Sequence, residues 1–109
     1  MRTGLLLLVA LLLASCQPAP ETKMTAIVGA KLIDGRGGEP IEYSIVLIEA
    51  ATFVKVGPQA SIRLPKYVEI IDGMGKTIEP VVNGTAIAAG LPANLKLDRR
   101  TMKDGQWQN

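Results

Sequence analysis

The sequence predicts an all-β domain, and three observations lead to that prediction. Short apolar stretches rich in β-branched residues recur about every ten residues, the spacing of a small sandwich or barrel. Pairs containing glycine or proline separate these stretches and favour turns. No segment has the apolar spacing of an amphipathic helix over three or more turns, and only residues 59–63 could form a helical turn. The length of 109 residues fits one domain.

Five strands can be placed in order along the first part of this domain. The first strand ends at a glycine-rich loop. In the second strand, apolar and polar residues alternate at the start, and later residues are apolar on both faces, as in a strand that enters a packed interior. Breaker pairs such as Gly57-Pro58 end the later strands. The predicted strands are residues 25–33, 41–49, 52–56, 67–71 and 77–80.

The last thirty residues are less regular. Asn83-Gly84 predicts a two-residue hairpin turn between strands at 78–82 and 85–89, and we prefer this to the glycosylation sequon that the same residues would form. Residues 99–109 are predicted to be a polar, frayed tail in which Trp107 is the one candidate for packing on the domain.

The predicted core is modest, because the apolar residues of the amino terminus do not contribute to it. It consists of Ile27, Leu32, Ile45, Leu47, Val54, Val68, Ile70 and Ile78.

The amino terminus has the pattern of a secretory signal. Arg2 is followed by an apolar run at residues 5–13 and then by Ala14-Ser15 before Cys16. The run is much shorter than the roughly twenty residues that span a bilayer, so a permanent transmembrane helix is disfavoured. The four residues that end in Cys16 resemble the lipobox of bacterial lipoprotein signals.

This resemblance implies that Cys16 is lipidated and that residues 1–15, the lipoprotein signal peptide, are removed. Residues 16–23 would then be the lipidated cysteine and a proline-bearing linker. The expected location is the bacterial cell envelope, with the domain anchored to a membrane and facing the periplasm or the exterior. The alternative is a buried core cysteine behind an ordinary signal.

The charges do not predict a nucleic-acid partner. Twelve basic residues are interspersed with ten acidic ones, for a formal charge of +2, and only Arg99 and Arg100 are adjacent. No basic stripe results, so the predicted partner is the membrane, through lipidated Cys16, and not nucleic acid.

Four segments together resemble the opening of an amidohydrolase of the imidazolonepropionase and prolidase-like branch. They lie in family-like order over roughly residues 25–80 and read VGAKLIDG (28–35), IVLIE (45–49), VKVGP (54–58) and EIIDGMGKTI (69–78). Residues 92–98, PANLKLD, are more faintly similar to a closing strand of the same domain. The resemblance implies a composite β-sandwich, here residues 24–98, that lies beside a (β/α)₈ barrel in the family. We expect no barrel in this chain, because only 29 residues follow Pro80.

The family's metal ligands are not found where the resemblance would place them. In the family, the strand equivalent to 77–80 leads through Pro-Gly into Asp-x-His-x-His, whose imidazoles hold zinc or a related metal. Here Val81 follows Pro80, Ala51 replaces a usual turn glycine, and the chain contains no histidine. We therefore expect no catalytic, metal-binding or cofactor-binding residues and no cofactor.

No other catalytic set replaces these ligands. Ser44, Ser61, Thr77 and Thr85 have no histidine base, and the single cysteine is assigned to the anchor. Three acidic residues, Asp34, Glu49 and Asp72, are interpreted as turn or solvent-facing side chains.

Three functional hypotheses follow. The first is a truncated amidohydrolase-like protein that is inactive alone, the family activity being metal-dependent hydrolysis of carbon-nitrogen bonds other than peptide bonds. The second is a lipid-anchored binding or accessory module, whose sheet edge, left open by missing closing strands, pairs with a partner chain. In the third, residues from Pro80 onward are an accident of truncation and the product folds poorly.

Overall fold

The computed structural model describes residues 23–82 and 84–108. The predicted signal peptide, Cys16 and Asn83 lie outside the described residues. Nine strands and one short 3₁₀ helix, Gln59–Ser61, make up the regular structure of the described part. The strands are β1 (Met24–Val28), β2 (Lys31–Leu32), β3 (Ser44–Glu49), β4 (Thr52–Pro58), β5 (Glu69–Asp72), β6 (Thr77–Glu79), β7 (Leu95–Leu97), β8 (Arg100–Lys103) and β9 (Gln106–Trp107).

Two sheets pack as a sandwich, which confirms the predicted fold class. The first sheet has the order β4-β3-β1-β5 and the second has the order β2-β6-β7-β8-β9. Pairing is antiparallel except between β1 and β5 and between β2 and β6, which are parallel. The residues that the structure describes form no (β/α)₈ barrel.

Two glycines let neighbouring stretches of chain pass from the first sheet to the second. Gly29 lies between β1 and β2 at φ +94°, and its N–H donates to the carbonyl of Ser44 at 2.8 Å. Gly73 follows β5 beside it, and a Cβ there would lie 2.8 Å from the Cβ of Ala30. Because a side chain would hinder the backbone at both corners, the single strand predicted at 25–33 divides into β1 and β2 at Gly29, whereas Gly73 lies in the predicted break between β5 and β6.

A β-bulge on β4 decides which of its side chains enter the core. Leu47 pairs with Lys55 and Ile48 pairs with Phe53, so Val54 is the extra residue. The bulge places Phe53 and Val56 on the same inner face although they are three positions apart. Val54, predicted to be in the core, is half-buried instead because strict alternation fails at the bulge.

The predicted polar tail is wrong, because its residues complete the second sheet. β7 pairs with β6, and β8 and β9 extend the sheet as a hairpin. The sandwich therefore continues beyond Asp98, and Trp107 packs against the core as predicted. The predicted hairpin around Asn83-Gly84 is also wrong, because no strand forms in the described residues between β6 and β7.

The observed core agrees with five of the eight predicted residues. Ile27, Leu32, Ile45, Leu47 and Ile78 are at most 3% exposed. Val68 is half-buried, and Ile70 is 60% exposed because its neighbour Ile71 takes the inner face of the edge strand β5. The prediction missed Phe53, Ile87, Leu95, Leu97 and Met102, which are all at most 1% exposed.

The strand β3, in the middle of the first sheet, is buried on both faces. Ile45 and Leu47 alternate with Val46 and Ile48, so they point away from the other sheet, yet they are buried too. The connection from β4 to β5 joins opposite edges of this sheet, and its Ile62 lies 3.5 Å from the Cβ position of Gly57 on that outer face.

Candidate functional site

The end of β6 is where the family resemblance would place the approach to a metal site. β6 stops at Glu79, and Pro80 is half-buried against the loop after β2. A Cβ at Gly35 would lie 2.6 Å from Cγ of Pro80, and Gly35 has φ +81°, so this contact requires glycine. The proline thus ends the strand by packing on the sandwich itself.

The residues after Pro80 turn back toward the sandwich. The N–H of Gly84 donates to the carbonyl of Val81 at 2.7 Å, and Val82 is 85% exposed at this turn. The N–H of Ile87 then donates to the carbonyl of Asp34 at 2.9 Å, and the Ile87 side chain is 1% exposed in the core. The segment in the place of the family's ligand stretch therefore supplies a core isoleucine.

Strands from the end of the chain pair with β6. Ile78 and Glu79 pair with β7, and Asp98 closes the start of β6 with two hydrogen bonds. The Thr77 N–H donates to Oδ1 of Asp98 at 3.0 Å, and the Asp98 N–H donates to the Thr77 carbonyl at 3.0 Å. The closing strands that the sequence was expected to lack are present, which corrects the premise of that hypothesis.

Two of the three acidic residues considered as ligands have the predicted turn roles. Oδ1 of Asp34 accepts from the N–H of Arg36 at 2.8 Å, and Oδ1 of Asp72 accepts from the N–H of Met74 at 2.9 Å. Glu49 is half-buried at the end of β3. Within residues 23–82 and 84–108, no three carboxylate or thiol groups come together in a way that could hold a metal ion.

The serine hydroxyls considered as nucleophiles are bonded to main-chain carbonyls. Oγ of Ser44 is buried and donates to Ala30 at 2.8 Å, while Oγ of Ser61 is exposed and donates to Pro58 at 2.9 Å. Ser44 therefore ties β3 to the chain between β1 and β2. Thr77 is half-buried and Thr85 is exposed.

An open cleft lies between the two sheets, at the end of the sandwich where β1 and β5 begin and β8 turns into β9. It has a volume of about 540 Å³. The wall from the first sheet includes Thr25 and Ile48, and the wall from the second includes Met102 and Trp107. β9, at the edge of the second sheet, has only two residues.

Charged side chains surround the cleft without forming a strong electrostatic site. Nζ of Lys23 lies 3.1 Å from Oε2 of Glu69 at the mouth, and both side chains are more than half exposed. Such a pair contributes about 0 to 1 kcal/mol. The guanidinium of Arg100 lies 4.1 Å from the centre of the Trp107 ring, a cation–π contact that covers one face of the indole.

The sequence prediction missed this cleft because it treated both of the segments that line its second wall as tail. A signal was present, since Asp104-Gly105 is a strong hairpin pair. Both residues have positive φ, +50° and +82°, as the favoured two-residue hairpin turn requires.

None of the helices formed by the described residues is long and apolar enough to span a membrane.

Comparisons with known proteins give partial matches to solved structures. No family model and no curated protein matches the chain. A molinate hydrolase structure is similar over 57% of this chain with 40% identity and a TM-score of 0.48. Phenylurea hydrolase B is similar over 53% with 34% identity and a TM-score of 0.49. A prolidase solved with N-methylphosphonate-L-proline is similar over 53% with 29% identity and a TM-score of 0.46. The matched region is only 13 to 14% of each of those proteins.

Proposed function

We propose that this chain is an amidohydrolase-like composite β-sandwich that has no hydrolytic activity on its own. The family resemblance of residues 25–80 supports the first part of the proposal. The absence of histidine from all 109 residues supports the second. Hydrolysis by this family needs imidazole ligands, a further carboxylate or carbamate, and a metal-activated water.

One observation carries the proposal, namely the path of the chain after Pro80. Instead of continuing into a ligand-bearing strand, the segment packs Ile87 into the core and then forms β7, β8 and β9. The strand that resembles the approach to a metal site is therefore part of a sandwich closed by its own downstream residues.

Metal binding and hydrolysis can be measured on the purified chain. We expect no stoichiometric zinc after dialysis against a trace of the metal. We also expect no turnover of a dipeptide ending in proline or of a cyclic amide. A zinc-dependent prolidase serves as the positive control for both measurements. Turnover that co-purifies with the chain, is lost with chelator and returns with zinc would contradict the proposal.

We propose lipid anchoring through Cys16 as the setting of this domain. The apolar run and the small residues before Cys16 support it. Two or three acyl chains on one cysteine would hold the protein firmly, because each buried methylene contributes about 0.8 kcal/mol. Mass spectrometry of the membrane fraction should find residues 16–109 with a lipid mass, and Cys16→Ser should leave an unlipidated chain. An unmodified Met1 in the wild type would contradict anchoring.

A second candidate function, binding of a partner chain, is favoured by the outer edge of β5. No described strand pairs with that side of β5. Ile70, on the outer face of β5, is 60% exposed, and Tyr67, two residues before the strand, is 81% exposed. An extended segment of a partner could add to this edge, with apolar side chains covering Ile70. The expected result is co-purification of a defined partner that is lost in an Ile70→Lys variant. A strictly monomeric protein with no partner at high concentration would contradict this candidate.

A further inference from the structure

We propose that the outer edge of β5 pairs with the same edge of a second copy of this chain, as two antiparallel strands related by a twofold axis at Ile70. The inference rests on the second candidate function above and names its partner. Such a dimer joins the four-stranded sheets of two copies into one continuous sheet, and the same surface is buried on both copies.

Among the strands at the edges of the two sheets, β5 is the one that the described residues leave unprotected. β4 has a bulge at Val54, ends at Pro58 and is bridged to Pro92 near its start. β2 is bridged to Ile41, and β9 has only two residues. Bulges, prolines, covering segments and very short strands all hinder pairing at an edge. β5 has four residues and none of these features, so it is the edge best suited to a further strand.

The backbone hydrogen-bonding groups of β5 alternate between its two sides. The N–H of Gly73 donates to the carbonyl of Val28 on β1 at 2.8 Å. Positions 69, 71 and 73 therefore direct their N–H and C=O groups toward β1, in agreement with the parallel register. The corresponding groups of Ile70 and Asp72 point to the other side, where no described strand lies. These are the groups that a second copy would bond.

The twofold axis selects one register. With Ile70 opposite Ile70 of the second copy, Asp72 lies opposite Val68, and all three pairs of outward-facing residues exchange hydrogen bonds. A shift by two residues in one direction would place Glu69 opposite Glu69, and a shift in the other direction would place Asp72 opposite Ile70. The register centred on Ile70 avoids both the like-charge pair and the charged–apolar pair.

The side chains on the outer face of the sheet fit the same register. Ile70 is paired with Ala26, which is paired with Leu47, so the three form an apolar row across this face. Ala26 and Leu47 are at most 2% exposed, whereas Ile70, at the end of the row, is 60% exposed. In the dimer the row continues into Ile70 of the second copy, and both side chains lose exposed apolar surface. Charge opposes this little, because Glu69 already pairs with Lys23 at 3.1 Å and the formal net charge is only +2.

Disulfide formation between single-cysteine variants tests both the pairing and its register. Each variant is made in the full chain with Cys16→Ser, so that the introduced thiol is the only one, and is oxidised in mild detergent over a series of concentrations. Ile70→Cys brings two Cα atoms to about 5.5 Å, within the range of a disulfide. Asp72→Cys is the matched control on the same strand and face, because its two copies would lie four positions apart, or about 14 Å. Val82→Cys controls for exposure alone, since Val82 is 85% exposed at a distant turn.

We expect cross-linked dimer in Ile70→Cys to exceed that in either control by roughly fivefold or more. In the chain with Cys16→Ser alone, adding Ile70→Lys should weaken self-association in sedimentation by roughly tenfold, because two lysines would face each other across the axis. Val82→Lys should leave self-association unchanged.

Equal cross-linking in Ile70→Cys and Val82→Cys would overturn the proposal, because random collisions would then explain it. So would equal cross-linking in Asp72→Cys, or self-association that Ile70→Lys leaves unchanged. If Ile70→Cys did not cross-link but a different protein co-purified and was lost in Ile70→Lys, the second copy would be the wrong partner, whereas the second candidate function would stand.

Discussion

Replacing Gly105 by alanine should be one of the most damaging single-methyl additions in this protein. Gly105 forms the β8–β9 turn at φ +82°, and its N–H donates to the carbonyl of Ala93 at 2.9 Å. A Cβ there would overlap the carbonyl oxygen of Ala50 and would lie 3.0 Å from the Cα of Ala51. The substitution therefore tests whether the second sheet closes on the β3–β4 turn as described.

The magnitude can be separated into two parts with matched controls. Gly75 also has positive φ, +76°, but nothing lies within 4 Å of its Cβ position, so Gly75→Ala isolates the conformational cost of about 1 kcal/mol. Gly38 has free space and no positive φ, so Gly38→Ala should be neutral or stabilising by a few tenths of a kcal/mol. Gly105→Ala adds a backbone overlap that costs roughly 1 to 3 kcal/mol more.

The assay is equilibrium urea unfolding followed by far-ultraviolet circular dichroism, since Trp107 is too close to the altered turn to be a neutral probe. A domain of this size has a free energy of unfolding of roughly 5 to 10 kcal/mol, so Gly105→Ala should lower the midpoint markedly. If Gly105→Ala and Gly75→Ala unfolded at the same urea concentration, the close approach to Ala50 would be wrong, and with it the closure of the sandwich by β8 and β9.

Three further substitutions test other parts of the fold by the same unfolding measurement. Ser44→Ala should cost about 0.5 to 1.5 kcal/mol, because the buried 2.8 Å bond from the hydroxyl is lost while the Ala30 carbonyl still accepts from the Ser44 N–H at 2.9 Å. The exposed Ser61→Ala should cost under about 0.5 kcal/mol, and equal effects would contradict the buried bond. Ala50→Gly should raise the free energy of unfolding by about 0.5 kcal/mol, because Ala50 has φ +54°. Ala51 has no positive φ, so Ala51→Gly should lower the free energy of unfolding, and the reverse order would reject this turn geometry. Ile78→Ala should cost about 2 to 5 kcal/mol, because the Ile78 side chain is 0% exposed. Ile70→Ala should cost under about 1 kcal/mol, because Ile70 is 60% exposed, and similar losses in both variants would mean that β5 faces the other way.

Local pattern was enough to predict the fold class and the approximate strand positions up to β6. The alternation of β-branched residues and the breaker pairs report on the backbone directly, so β3 and β4 lie close to where they were predicted. The division of the first predicted strand at Gly29 was not predicted, because a corner between sheets depends on the position of the facing segment at Gly73. Val54 was likewise predicted to be in the core, and it is half-buried because of a bulge that only the pairing register reveals.

The second sheet was harder to predict because its carboxyl-terminal strands are short and polar on one side. β7 and β8 alternate buried and exposed residues over three or four positions, and β9 has only two residues. The Asp104-Gly105 pair is a hairpin signal within a segment whose polar composition favoured the prediction of a tail. The cleft beside Trp107 could not be predicted from sequence, since its walls come from segments far apart in the chain.

The packing after β6 also argues against recovery of hydrolysis by simple substitution. Histidines at positions 82 and 85 would project from exposed sites on a turn, and they would not enter a water-excluded cavity. Moving the ligands inward would instead require displacement of Ile87, whose loss from the core would cost roughly 2 to 5 kcal/mol. A metal held by two exposed imidazoles would lack both the third protein ligand and the oriented surroundings that catalytic zinc needs. The residues that close this sandwich therefore occupy the space into which ligands at the end of β6 would have to move.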